Sequence, residues 1–152
     1  MNYSLLPLMV AVAAFAGCHG SRVEEAEHHA PAHKPADFPA AVDRLLTLHA
    51  EITNGDLRTN DPLDVFTETS DIVRWLPDLA ADSDLGEEPW NSVYATSQRL
   101  ETILNEVQSR RDADRYQEYQ TYETEFDQLY NALLEIKQLF LAATELAADQ
   151  TP

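Results

Sequence analysis

The side chains with chemistry to offer are few: five histidines and one cysteine in 152 residues. His28, His29 and His33 sit beside Glu24, Glu25 and Glu27. Imidazole and carboxylate at that spacing can chelate a borderline divalent metal such as copper or zinc. The competing reading is a solvated spacer, because ordering ligands on a mobile chain costs entropy. His49 stands apart, on an apolar helical stripe. It is either a single core ligand for a metal or haem, or a half-buried histidine bonded to a tyrosine hydroxyl or a carbonyl. Cys18 has no second cysteine to pair with, so an intrachain disulfide and a Cys-based zinc site are both excluded. Asp82-x-Asp84-x-Gly86 has the look of a calcium loop. Yet Gly86 falls at the fifth position and Val93 at the twelfth, where an EF-hand needs Gly at six and Glu at twelve. It reads as a solvated connection.

What is missing narrows the field further. There is no C-x-x-C-H for covalent haem, and the helical region has no Glu-x-x-His for a di-iron centre. Both methionines, Met1 and Met9, fall in the first nine residues. No Ser-His-Asp or Cys-His arrangement can be argued, so no enzyme activity and no resident cofactor are expected. The chain carries 27 acidic against 10 basic residues, a net charge of -17. A phosphate backbone would be repelled, which argues against nucleic acid as a partner. Only 4 glycines are present, too few to favour Gly-rich phosphate loops or turn-rich β folds.

The N-terminus reads as an address. Leu5 to Ala16 is an uncharged apolar run, too short to span a bilayer but suited to the core of an export signal. It ends in Phe15-Ala16-Gly17-Cys18, which resembles a bacterial lipobox. The usual Leu is replaced by Phe15, and Met1-Asn2-Tyr3-Ser4 lacks Lys and Arg. The resemblance covers the first 18 residues. It implies an envelope lipoprotein in which Cys18 is acylated, palmitate being a typical chain, and becomes the new N-terminus. His19, where an Asp would retain the protein, leans toward the outer membrane. The alternative is cleavage after Ala16 at Ala14-Phe15-Ala16, giving a secreted or periplasmic protein. Residues 1–17 are thus an export signal. Residues 18–37, with Pro31 and Pro35 and no apolar period, are a disordered tether that adds nothing to stability.

Residues 38–150 must then supply the folded body. Apolar residues recur three and four apart in four segments, the mark of amphipathic helices. The first carries Phe38, Val42, Leu45, His49 and Ile52, with Asp37 as N-cap and Asn54-Gly55 as terminator. The second opens at Asp61-Pro62 and carries Phe66, Thr69, Val73, Leu76 and Ala80, with Ile72 and Trp75 beside them. Pro77 predicts a kink or an early end. The third carries Trp90, Val93, Ser97, Leu100, Leu104 and Val107, with Glu87 and Glu88 in its first turn. The fourth carries Tyr119, Tyr122, Phe126, Leu129, Leu133, Ile136, Phe140, Ala143 and Ala147. The stripe dies between 108 and 118, which places a turn near Arg111-Asp112-Ala113-Asp114.

Short links between such helices favour antiparallel neighbours, so the expected fold is all-α, an up-down-up-down antiparallel four-helix bundle after a tether. Its fourth helix is the longest and should overhang, or pair with a second copy as a homodimer. In shape this is similar to periplasmic four-helix cytochromes, but the ligands those need are missing. The expected function is a membrane-anchored, non-enzymatic binding or accessory subunit for another envelope protein. The alternative is a periplasmic metal or haem carrier using the histidine tether or His49.

Overall fold

The computed structural model describes residues 31–57, 63–83 and 85–149. Among them the structure is helical, with no strand. The helices are α1 (Phe38–Thr53), α2 (Val65–Ala81), α3 (Glu87–Gln108), α4 (Asp112–Thr121) and α5 (Glu123–Asp149).

The ends of α1 follow from single residues. The Asp37 carboxylate accepts from the Ala40 amide at 2.8 Å, and a proline sits in the first turn where its missing N–H costs nothing. At the other end Gly55 takes φ 77. Its amide donates to the Ile52 carbonyl, and Asp56 donates to Glu51, a paired closure that satisfies two orphan carbonyls.

α2 begins later than the sequence predicts. Asp64 is its cap, accepting from the Phe66 amide and the Thr67 hydroxyl; Asp61 and Pro62 lie outside the described residues. Nor does α2 stop at Pro77, since it continues to Ala81. The Trp90 indole N–H donates to the Pro77 carbonyl at 3.1 Å, tying this turn to the start of α3. In α3, Glu87 and Glu88 fall in the first turn as expected, where the helix dipole favours carboxylates.

The predicted fourth helix is two. The turn near Arg111 is present, but α4 ends at Thr121 and α5 starts at Glu123. No glycine or proline marks this break. The Thr121 side chain donates to the Glu118 carbonyl at 2.7 Å. That is the acceptor the Tyr122 amide would use in a continuous α-helix. The Tyr122 amide turns instead to the Tyr119 carbonyl at 3.0 Å.

α1 packs on α2 and α5; α3 packs on α2, α4 and α5. The core between them holds Phe38, Leu45, Ile72, Leu76, Leu100, Leu104, Phe126 and Leu133, all fully buried or within 1% of it. The predicted stripes of the first three helices lie in or against this core. Along α5 the stripe holds through Ile136, then fails: Ala143 and Ala147 are exposed, and so is every residue from 141 to 149. Ion pairs link the helices at the rim: Arg99 on α3 with Glu125 on α5, and Lys137 on α5 with Asp43 on α1.

Candidate functional site

His49 is the centre of the most organised polar cluster in the body. It projects from the last third of α1 toward the break between α4 and α5. Its Nδ1 lies 2.7 Å from the Tyr119 hydroxyl and its Nε2 lies 3.0 Å from an Asp127 carboxylate oxygen. An ionised carboxylate can only accept, so Nε2 carries the hydrogen. In the neutral imidazole Nδ1 then accepts from the phenol. The order is Tyr119 O–H to imidazole to carboxylate, running from the buried interior to the exposed Asp127.

Aromatic rings wall this histidine. Tyr130 lies at 5.0 Å between centroids, Tyr119 at 5.9 Å and Phe126 at 6.2 Å. Tyr119 stacks on Phe126 at 4.1 Å, and Phe66 meets Tyr119 edge-on. The sequence put Phe66 and Tyr119 on inward stripes, and both are buried, Phe66 against Tyr119. It also named Tyr122 as an inward residue, but Tyr122 is only half-buried, with its hydroxyl bonded to Glu106. Tyr130, four residues after Phe126, is the other buried tyrosine. Burial holds the Tyr119 phenol well above its ordinary value, helped by the neighbouring Tyr130. Burial does the same to Tyr130, with Tyr119 opposing it.

Both ring nitrogens of His49 are engaged. A metal or haem iron there would have to displace Tyr119 or Asp127. Among the described residues no group of three or more His, Cys, Asp or Glu is arranged to hold a metal ion. Of the other predicted ligands, His28 and His29 lie outside the described residues, as do Cys18, the export signal and Asp84. His33 is described, and it is not a free ligand. Its Nε2 bonds Asp71 at 3.1 Å, and its ring lies 5.2 Å from that of Trp75. The Lys34 ammonium sits over the same indole. The end of the predicted tether is therefore docked on α2.

Two further features escaped the sequence. Glu68 is buried on α2, and Arg44 of α1 grips both its carboxylate oxygens at 2.7 and 3.0 Å. Gln108 at the end of α3 donates to the Phe66 carbonyl and the Ser70 hydroxyl. A shallow apolar groove of about 160 Å³ lies where α5 leaves the body, lined by Leu85, Gly86, Pro89, Ile136, Leu139, Phe140 and Ala143. Leu139 at this groove and Leu146 beyond it are 68% and 66% exposed. No helix among the described residues is long and apolar enough to cross a membrane.

The chain matches no protein-family model, and no curated protein or solved structure is found similar to it.

Proposed function

We propose that this chain is a lipid-anchored, non-enzymatic helical subunit of the bacterial cell envelope, held at the outer membrane through Cys18 and binding another protein at the far end of α5. The observation that carries the binding role is that far end. Leu139, Leu141 and Leu146 stand exposed on the part of α5 that leaves the core. Large apolar side chains gathered at one place on a charged surface suit a partner face. The anchor rests on the uncharged run Leu5–Ala16 that ends at Cys18.

Several observations suit a scaffold better than a catalyst or carrier. The buried polar groups join helices: Arg44 with Glu68, Gln108 with α2, His49 with α4 and α5. His49 offers no spare nitrogen to a cofactor. The packing fits an up-down-up-down four-helix bundle, with α1 and α3 each against α2 and α5, and α4 and α5 together forming the fourth leg.

Replacing Cys18 with Ser and fractionating cells tests the anchor. The wild-type protein should be found in the membrane pellet and Cys18→Ser in the soluble fraction. A soluble wild-type protein beginning at Gly17 would overturn it in favour of cleavage after Ala16. An absorbance scan and metal analysis of the purified chain test the rest. A Soret band, or copper or zinc at one per chain, would replace the scaffold reading with that of a carrier.

A further inference from the structure

We propose that the exposed end of α5 pairs with the same segment of a second copy, in antiparallel orientation, with the dyad between Ala142 and Ala143. This deepens the reading of that end as a binding surface by naming its occupant, and it is independent of the anchor.

The composition of the segment is the first argument. In a chain of net charge -17, residues 138–148 carry one charged side chain, Glu145. Leu139, Ala142 and Leu146 follow one another at spacings of three and four, with Ala143 beside them. On a helix these form one seam. Leu139 and Leu146 are the most exposed large apolar residues described, so the body leaves this seam uncovered. Alanine at its centre lets two helix backbones approach closely.

Charge selects the orientation. In a parallel pair Glu145 would face Glu145 and Asp149 would face Asp149, with two strongly acidic bodies side by side. Like charges so placed oppose association. In the antiparallel pair each body lies beyond the other's C-terminal end. With the dyad between Ala142 and Ala143, residue numbers facing each other add to 285. Leu139 meets Leu146, Ala142 meets Ala143, and Glu145 meets Phe140. No acid faces an acid.

Shape supplies the third argument. Leu139 lines the groove with Leu85, Pro89, Phe140 and Ala143. The partner's Leu146, opposite Leu139, falls beside this groove and fills it. Symmetry repeats the contact, so the surface is self-complementary. The overlap is about 11 residues, or roughly 16 Å of helix, which is small for an interface. The pair is therefore weak and best read by trapping it.

The experiment uses the full chain with Cys18→Ser and Ala143→Cys, under mild oxidation. The expected result is a disulfide-linked dimer that the chain with Cys18→Ser alone, which has no cysteine, does not form. Glu135→Cys lies on the same side of the helix, but its two copies would be about 22 Å apart along an antiparallel pair, beyond disulfide reach. It should not link. Adding Leu139→Gln to Ala143→Cys should abolish the link while leaving the melting temperature of the chain unchanged. Equal linking at 135 and 143 would mean parallel pairing and would overturn the proposal. So would the absence of a link at 143, including the case where that cysteine is shielded from a maleimide by a membrane or another protein. Fractionation of Cys18→Ser is unaffected by any of these outcomes, so failure of the pair and failure of the anchor are told apart.

Discussion

Glu68 has 5% of its side chain exposed, whereas its partner Arg44 has 32%. That asymmetry decides what each substitution does. Arg44→Ala leaves a carboxylate in a site built around a guanidinium. Breaking such a pair costs up to about 5 kcal/mol when both ends are buried, and solvent at Arg44 brings this to about 2 kcal/mol. Replacing both, as Arg44→Met with Glu68→Leu, removes the buried charge and should recover part of the loss in a urea melt, the remainder being the Arg44 bond to Glu51 at 3.1 Å. A double variant as weak as the single one would show that packing, not charge, set the cost. The tyrosines give a pH dependence. Burial raises the phenols of Tyr119 and Tyr130 above the ordinary 10.0, so the folded chain keeps protons that the unfolded chain gives up. Stability is then unaffected below about pH 10 and falls as pH rises past it. These two tyrosines should ionise together with the loss of helicity, read by tyrosinate absorbance against circular dichroism. Full ionisation of all tyrosines while the helices persist would contradict the burial of this pair.

At the scale of helices, α5 offers the sharpest contrast. Leu133 is fully buried, and Glu135, two residues on, is exposed. Leu133→Ala should cost about 2–5 kcal/mol by leaving a cavity, and Glu135→Ala less than about 0.5 kcal/mol. Thermal or urea unfolding separates the two, and equal effects would mean the register of α5 is wrong. Gly55, at the end of α1, has φ 77 and open space where a Cβ would go. Gly55→Ala therefore meets strain without a clash and should lower stability by about 1 kcal/mol in the same melt. These features were legible because period and capping are local properties. The stripes from Phe38 to Ile52 and from Val93 to Val107, the Asp37 cap and the Gly55 closure could all be read residue by residue. Three things could not. The break at Tyr122 has no glycine or proline beside it, so nothing in the composition announces it. The break also takes Tyr122 out of the regular helix and leaves it half-buried, while Tyr130 shares the buried face of α5 with Phe126 and Leu133. The Arg44–Glu68 pair joins residues on different helices, so neither sequence position hints at the other. At the His49 cluster the histidine and Tyr119 were visible as stripe residues, whereas Asp127 lies on a polar face and is known only from geometry.

For the molecule as a whole, the boundary between tether and body moves. Composition draws it at Asp37, with no stabilising role before that residue. The structure carries it back to His33, whose imidazole bonds Asp71 and lies against Trp75. One partly exposed hydrogen bond and one ring contact are worth about 1 kcal/mol together. A chain beginning at Asp37 should therefore melt roughly 3–6 °C below the full chain, and His33→Ala in the full chain should account for most of the drop. Identical melting temperatures would return the boundary to Asp37. The same contact gives the protein a built-in optical signal. Of its two tryptophans, Trp90 stacks on Tyr94 at 5.5 Å and keeps one neighbourhood as long as α3 is folded. Trp75 has His33 and the Lys34 ammonium against its ring, and both groups can draw electron density from an excited indole. Its fluorescence should brighten when residues 31–36 lift away, even while every helix remains intact. In a Trp90→Phe background, emission from Trp75 alone would report second by second whether the N-terminal segment is seated on the body or released from it.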